Sequence, residues 1–110
     1  MKKILITGGS GFIGHNLKAF LSKNFKIYAP TSKQLDLTNS DKVLTYIKKN
    51  KFDTVIHCAV YMVTRNSKKD SSKELRFNLR MFFNITRCNK YFKRMFYFGS
   101  GAEYDMQSYV

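Results

Sequence analysis

Residues 4–14 read Ile-Leu-Ile-Thr-Gly-Gly-Ser-Gly-Phe-Ile-Gly, an apolar run of strand character that breaks into four glycines within seven positions. The apolar residues of one helix face follow at once: Ile13, Leu17, Phe20 and Leu21. A strand that enters a helix through such a turn leaves backbone N–H groups without partners beside the positive end of the helix dipole. Glycine omits the Cβ atoms that would block the turn and the approach of phosphates. The stretch predicts a pyrophosphate-binding turn; the alternative is a glycine-rich turn with no ligand.

The rest of the chain alternates strand and helix patterns. Strands are predicted at Lys3–Thr7, Phe25–Ala29, Asp53–Cys58 and Met95–Gly99, with a very short further strand at Gln34–Leu37. Helices are predicted at Phe12–Ser22, Ser40–Lys49 and Ser71–Tyr91. This alternation predicts an α/β fold, a Rossmann-type doubly wound parallel sheet that is truncated after about the fifth strand. We expect one incomplete dinucleotide-binding domain over residues 1–110, without a C-terminal substrate domain.

Composition narrows the class of protein. Without a run of about 18 apolar residues, no transmembrane helix is expected, and the basic start leads into a strand rather than a signal peptide. Cys58 and Cys88 are isolated thiols without metal-ligand spacing. We therefore expect a cytoplasmic protein with reduced cysteines and no metal.

The net charge of +13 raises the alternative of nucleic-acid binding. The lysines are spread along the chain, however, largely at the ends of predicted elements, and no nucleic-acid-binding motif accompanies them. We interpret the charge as a solvated basic surface that also attracts an anionic nucleotide. We expect neither a nucleic-acid partner nor a membrane partner.

Five segments carry a family pattern in order. They are the Thr-Gly-x-x-Gly-x-x-Gly signature at Thr7–Gly14, Leu-Asp-Leu-Thr at Leu35–Thr38, Val-Ile-His-Cys-Ala at Val55–Ala59, the Asn-rich helix at Asn78–Asn84, and Met95–Tyr104. With these segments the chain resembles the first half of the extended short-chain dehydrogenase/reductase family, the NAD-dependent epimerase/dehydratase group that acts on nucleotide sugars. The resemblance implies the NAD(P)-binding portion of an epimerase, dehydratase or reductase that works by hydride transfer at a sugar carbon. The alternative is a non-catalytic dinucleotide-binding module that senses redox state or scaffolds a partner.

The predicted cofactor-binding residues are Gly8, Gly11, Phe12, Ile13, Gly14, Thr31, Ser32, Lys33, Asp36, Leu37, Ala59 and Asn78. The resemblance implies that Asp36 accepts a hydrogen bond from the adenine amino group, with the Leu37 backbone beside it; the alternative is a helix-capping carboxylate. Ala59 is expected at the carboxyl end of its strand, where its small size lets the cofactor pass closely. For Asn78, a role in ordering the active-site region and a merely structural role stay open.

The end of the second strand bears on the choice between NAD and NADP. An acidic residue there would bind the ribose 2′-hydroxyl and repel a 2′-phosphate. Residues 28–33 read Tyr-Ala-Pro-Thr-Ser-Lys, with no acid but with hydroxyls and a cation. This favours NADP over NAD.

Ser100 is the predicted catalytic residue, because it follows the last strand and matches the family's catalytic Ser/Thr. The alternative is a turn serine between two glycines. The family's Tyr-x-x-x-Lys pair is missing from the sequence, so we expect this chain to be inactive alone. His57 is interpreted as a core histidine rather than a base. The resemblance also implies a nucleotide-sugar substrate for a full-length parent, which we expect to be a homo-oligomer.

Overall fold

The computed structural model of the chain describes residues 1–61 and 73–98, in which four strands alternate with three helices. The strands are β1 (Lys3–Thr7), β2 (Lys26–Tyr28), β3 (Thr54–His57) and β4 (Arg94–Tyr97). The helices are α1 (Phe12–Leu21), α2 (Ser40–Asn50) and α3 (Glu74–Thr86). None of the helices in the described residues is long and apolar enough to cross a membrane.

The strands form one parallel sheet in the order β2-β1-β3-β4. Leu5 of β1 is in register with Tyr28 on one side and with Val55 on the other. Because every strand runs in the same direction, all carboxyl ends meet at one edge of the sheet and all amino ends at the other. The predicted Rossmann-type α/β fold is confirmed.

Alternation along the strands gives the sheet two apolar faces, as a parallel sheet covered by helices requires. One face consists of Ile4, Ile6 and Ile56, with Leu17 and Leu21 of α1 packed against it. The other face buries Leu5 and Val55 against α2 and α3, through Val43, Ile47, Ile85 and Cys88. The helices therefore lie on opposite faces of the sheet, so that both clusters are shielded from water.

The short strand expected at Gln34–Leu37 is wrong. The carbonyl of Thr31 accepts hydrogen bonds from the N–H groups of Gln34 and Leu35, at 3.0 and 2.8 Å, and these bonds fold the segment into a turn. Leu35 still reaches the core, where it is 4% exposed. A single buried side chain on a turn produces the same apolar signal as a short strand.

Two helix predictions also need correction. The third helix was expected to continue to Tyr91, but α3 ends at Thr86. Beyond it the Cys88 N–H bonds to the Ile85 carbonyl in a tighter turn, and the Cys88 thiol donates to the Asn84 carbonyl at 3.3 Å. The helical spacing of Leu75, Asn78, Leu79, Phe82 and Ile85 predicts that these residues share the inward face of α3, and this prediction is wrong in part. Leu75 is 66% exposed and Leu79 38% exposed, while the buried face is formed by Met81, Asn84 and Ile85. On α1, Phe20 is 74% exposed instead of packed.

Candidate cofactor-binding site

A cleft of about 450 Å³ opens at the carboxyl ends of β1, β2 and β3. Six of the predicted cofactor-binding residues line it: Gly8, Thr31, Ser32, Asp36, Leu37 and Ala59. In open α/β sheets, ligands bind in the crevice outside the carboxyl ends of the strands. The topology therefore brings together residues that lie more than fifty positions apart in the sequence, on three different loops.

Two glycines of the turn are required by the protein's own packing. Gly8 has a φ of 71°, a conformation that L side chains rarely adopt, and a Cβ there would lie 2.7 Å from the Ala59 nitrogen. A Cβ on Gly14 would overlap the Gly8 carbonyl oxygen. These contacts fix the start of α1 against the ends of β1 and β3, where the cleft begins.

Gly11 differs from its neighbours because the protein leaves room for a side chain there. It is exposed, and a Cβ would meet only the Gly8 carbonyl oxygen at 3.4 Å, an ordinary van der Waals contact. Gly11 is also the N-cap residue of α1, which has no side-chain cap hydrogen bond and no acidic residue in its first turn. The N–H groups at the helix start, including those of Phe12 and Ile13, therefore have no intrahelical partners and suit an anion.

Thr7 lines the cleft, and its hydroxyl joins the ends of β1 and β3. Its oxygen accepts hydrogen bonds from the N–H groups of Cys58 and Ala59, at 3.1 and 3.2 Å. It lies 2.5 Å from Nδ1 of His57, and because the oxygen already accepts from two N–H groups, we assign the hydroxyl proton to this bond. This network places Ala59 directly beside the glycine turn.

His57 is a satisfied core residue, as expected. It is 1% exposed and stacks on Tyr97 with ring centroids 5.3 Å apart. Burial lowers its pKa from 6.5 to about 4, so the imidazole is neutral at physiological pH. Because Nδ1 accepts from Thr7, the ring proton resides on Nε2.

Asp36 lies on the cleft wall formed by the turn after β2. Its Oδ1 accepts hydrogen bonds from the Thr38 hydroxyl at 2.6 Å and from the Thr38 N–H at 3.0 Å. These two bonds lower the pKa of the carboxyl, which is therefore ionised at neutral pH. The alternative role as the cap of α2 is wrong, because Asn39 is the N-cap residue and accepts from the Lys42 N–H at 3.1 Å.

Residues 31–33 form the exposed turn at the end of β2. Thr31 and Gln34 hold this turn reciprocally, since the Thr31 N–H donates to Gln34 Oε1 and the Gln34 N–H donates to Thr31 Oγ1. Ser32 lines the cleft, and Lys33 is exposed beside it, outside the lining. A flexible ammonium therefore flanks the cleft at the position where the sequence predicts contact with a 2′-phosphate.

Asn78 does not line the cleft but holds one of its walls. The amide of this α3 residue accepts from the Tyr61 N–H at 2.6 Å and donates to the Tyr61 carbonyl at 2.9 Å. The Tyr61 ring packs edge-on against Phe77, with centroids 4.9 Å apart. Within the described residues Asn78 therefore positions the segment that leaves β3, and a ligand would meet Tyr61 first.

The residues lining the cleft fit a dinucleotide through backbone donors rather than side-chain cations. The described lining contains no lysine, arginine or histidine, and its one carboxylate is that of Asp36. A pyrophosphate would bind at the uncapped start of α1, which lies outside the lining and adjoins it at Ser10. The carboxylate would meet the adenine amino group rather than a phosphate.

Several residues of the cleft were not predicted from the sequence: Gly9, Ser10, Ala29, Pro30, Leu35, Val60, Tyr61 and Met81. Most of them are sequence neighbours of predicted residues, so they could have been predicted by including the adjacent positions of each loop. Met81 is different, because it reaches the cleft from α3; it lies within the Asn78–Asn84 segment, but no predicted role was attached to it. The predicted catalytic Ser100 lies outside the described residues.

The parallel sheet, the glycine turn and the cleft at the carboxyl edge define a Rossmann-type dinucleotide-binding fold. The family model described as "NAD dependent epimerase/dehydratase family" matches residues 4–109. The chain belongs to this family.

Individual relatives are nucleotide-sugar enzymes. A GDP-L-fucose synthase from Azorhizobium caulinodans is 48% identical over 59 residues, which cover 53% of this chain and 19% of the relative. A GDP-mannoheptose C4 reductase from Campylobacter jejuni, solved with NADP bound, superposes with a TM-score of 0.82 at 27% identity over 91% of this chain and 33% of that one. A dTDP-4-dehydrorhamnose reductase from Bacillus anthracis, in complex with NADP, gives a TM-score of 0.70 at 26% identity over 80% and 32%. The chain thus spans about a fifth to a third of the length of these proteins.

Proposed function

We propose that the cleft binds NADP(H), with NAD(H) as the weaker ligand, and that it serves a nucleotide-sugar epimerase, dehydratase or reductase. The observation that carries this proposal is the contrast within the glycine turn. Gly8 and Gly14 are required by packing, while Gly11 caps a helix without a side chain although the protein leaves room for one. A phosphate against the start of α1 accounts for that open space.

The described residues would divide the cofactor between them. The start of α1 would hold the pyrophosphate, Asp36 the adenine amino group, and Ser32 with Lys33 the 2′-phosphate. Ala59, fixed by the Thr7 hydroxyl, would let the ribose pass close to the backbone. Asn78 would keep Tyr61 in place as the opposite wall.

When bound, the cofactor would supply a hydride acceptor or donor for a sugar carbon. The chain's own share of that chemistry would be to orient the dinucleotide and to place Ser100 near the sugar oxygen on which negative charge changes. Acid–base work by a Tyr-x-x-x-Lys pair would have to come from residues other than these 110. We place this activity in the cytoplasm.

We also propose that the protein forms a homo-oligomer. β4 lies at the edge of the described sheet, and its Phe96 is 52% exposed beside Phe98, which is 38% exposed. An apolar strand edge of this kind favours association.

Cofactor choice tests the proposal directly. We expect NADPH to bind more tightly than NADH, and Lys33→Glu to erase or reverse that preference, because a repulsive charge replaces an attractive one beside the 2′-phosphate. Fluorescence titration with both cofactors measures the two affinities. Lys23→Glu in the exposed turn before β2 is the matched charge control and should leave the ratio unchanged.

A wild-type chain that binds NADH tenfold more tightly than NADPH would contradict the assignment of Thr31, Ser32 and Lys33. The absence of binding to either cofactor would contradict the dinucleotide site itself. Cofactor binding without turnover in any longer protein that carries this chain would instead favour the redox-sensing or scaffolding module.

A further inference from the structure

The amino ends of the four strands, at the edge of the sheet opposite the cleft, carry dense positive charge. All strands of a parallel sheet begin at one edge, and here each strand start has cationic residues at it or within three positions of it. We call these residues the basic edge: Lys2, Lys3, Lys26, Lys51, Lys93 and Arg94. Five of the six are exposed, and Lys3 is half-buried.

Backbone hydrogen bonds arrange the basic edge in a row across the strand starts. The Lys26 N–H donates to the Lys2 carbonyl and the Asp53 N–H donates to the Lys3 carbonyl, each at 2.9 Å. On the far side, the Arg94 N–H donates to the Asp53 carbonyl at 3.2 Å. With neighbouring strands about 4.8 Å apart, the row spans roughly 14 Å.

Asp53 is the carboxylate that faces this row. Its pKa is lowered first by the hydrogen bond from the Thr54 hydroxyl and then by the nearby charges of Lys2, Lys93 and Arg94. The Lys93 ammonium lies 3.9 Å from Asp53 Oδ1. Three cations thus share one carboxylate, which leaves the row strongly positive.

The other described carboxylates lie at the opposite edge. Asp36 lines the cleft, and Asp41 and Glu74 are in the first turns of α2 and α3, which begin on the cleft side of the sheet. The charge of the described residues is therefore polarised along the strand direction, with the excess of cations away from the cleft.

Helix dipoles do not account for this excess. Cations at helix C-termini complement a partial charge of about half a unit per helix, and the three helices end at this edge. The basic edge alone has six cations, and Lys48 and Lys49 of the last turn of α2 add to it. Asp53 and roughly one and a half charges of helix dipole leave most of that charge uncompensated within the described residues.

We propose that the basic edge docks onto an anionic lipid bilayer surface. Five of its six cations are lysines, compact point charges that respond to a diffuse surface potential and do not need the bidentate geometry of arginine. The row lies at the end of the sheet where all four strands begin, so its cations can approach one surface together. This peripheral contact departs from the expectation of no membrane partner, and it needs no spanning helix.

The aromatic rings near the basic edge argue against single-stranded nucleic acid as the partner. The Tyr28 ring packs edge-on against Phe52 at 5.2 Å, and the ammonium groups of Lys3 and Lys26 lie over it at 5.8 and 5.5 Å. Phe52 is buried and Phe92 half-buried. The rings of Tyr28, Phe52 and Phe92 are therefore packed into or against the core and are not free platforms for base stacking.

Vesicle co-sedimentation with charge-matched variants tests the proposal. The edge variant Lys26→Gln/Lys93→Gln/Arg94→Gln removes three exposed cations of the basic edge. The control variant Lys42→Gln/Arg76→Gln/Arg80→Gln removes three exposed cations from helices elsewhere. The 110-residue chain and both variants are mixed with vesicles of phosphatidylcholine and phosphatidylserine at about 2:1, and with vesicles of phosphatidylcholine alone.

We expect binding to the anionic vesicles only, weakened about fivefold for each edge cation removed, or roughly a hundredfold in the edge variant. The control variant should lose less than tenfold, and NADPH affinity should be unchanged in the edge variant because the cleft lies at the other edge. Circular dichroism of the variants verifies that both fold.

Equal losses in the two variants would overturn the proposal, since net charge alone would then explain binding. Equal binding to neutral vesicles would also overturn it. Displacement of the chain from anionic vesicles by a single-stranded oligonucleotide at equal phosphate concentration would make nucleic acid the partner instead. These outcomes are independent of whether the cleft binds a dinucleotide.

Discussion

Gly8 and Gly11 stand three residues apart in one turn, and they omit a side chain for different reasons. At Gly8 the backbone has a positive φ and Ala59 lies too close for a Cβ, so the fold itself requires glycine. At Gly11 the φ is −75° and the nearest atom to a Cβ is at an ordinary distance. A substitution at each position therefore separates folding from ligand binding.

We expect Gly11→Val to abolish NAD(P)H binding while the domain stays folded, because the new side chain would occupy pyrophosphate space. Gly8→Ala should instead destabilise the fold by about 2–4 kcal/mol, through its left-handed backbone and its contact with Ala59. Fluorescence titration and urea unfolding of both variants measure the two effects. Unchanged NADPH affinity in Gly11→Val would contradict the role of the turn.

His57 makes stability depend on pH. Its pKa is about 4 in the folded protein and 6.5 when exposed, so the unfolded chain binds the proton more readily between these values. Its contribution is therefore fully present above pH 6.5 and is lost as the pH falls toward 4. The loss amounts to about 3 kcal/mol at 1.36 kcal/mol per pKa unit.

Urea unfolding at pH 7 and pH 5 measures this dependence. We expect His57→Asn to remove most of the slope, because the amide oxygen can still accept from the Thr7 hydroxyl but cannot be protonated. His15→Asn on the exposed face of α1 is the control and should keep the slope. A wild-type slope that survives in His57→Asn would show that another group titrates.

At the level of elements, the start of α2 shows how a local signal decides a boundary. Asn39 accepts a hydrogen bond from the Lys42 N–H, so Asn39→Ala should lower the free energy of unfolding by about 1 kcal/mol. Asp36→Ala should have a smaller effect on stability, since Asp36 bonds to Thr38 and does not cap the helix. Urea denaturation of the two variants distinguishes the two roles, and a larger loss for Asp36→Ala would reverse them.

Elements with a strong periodic signal were predictable from the sequence. β1 was predicted with its observed bounds, and α2 to within one residue, because an apolar run or a capping residue marks each boundary. The strand prediction for the segment from Gln34 to Leu37 is wrong, because hydrogen bonds to the Thr31 carbonyl fold it into a turn. A backbone acceptor of this kind is not revealed by any residue type.

The residues of the candidate site also fall into those that the sequence predicts and those that it does not. The glycine turn and Asp36 carry motifs, and the structure places them at the cleft. The contact between Asn78 and the Tyr61 backbone joins residues 17 positions apart through main-chain atoms, so the sequence indicated only that this amide needs partners. The prediction of the inward face of α3 is wrong in part because Leu75 and Leu79 recur on the face that the described residues leave exposed, while Met81 and Asn84 lie on the buried face with Ile85.

For the whole molecule, catalysis would require more than the described fold supplies. In a longer protein that contains this chain and a Tyr-x-x-x-Lys pair, we expect Ser100→Ala to slow hydride transfer by about two orders of magnitude or more. Cofactor affinity should stay the same, because Ser100 is assigned to the sugar oxygen and not to the dinucleotide. NAD(P)H absorbance with a nucleotide-sugar substrate measures the rate, and an unchanged rate would make Ser100 a turn serine.

The strand order has a consequence for how the chain acquires its structure during synthesis. β1 lies between β2 and β3, and its Ile4 pairs with Thr54, fifty residues later. Closing a loop of that length costs conformational entropy before any pairing energy is gained. β1 therefore leaves the ribosome about fifty residues before β3 and stays without its second neighbour until then, which slows folding and exposes an apolar strand to aggregation.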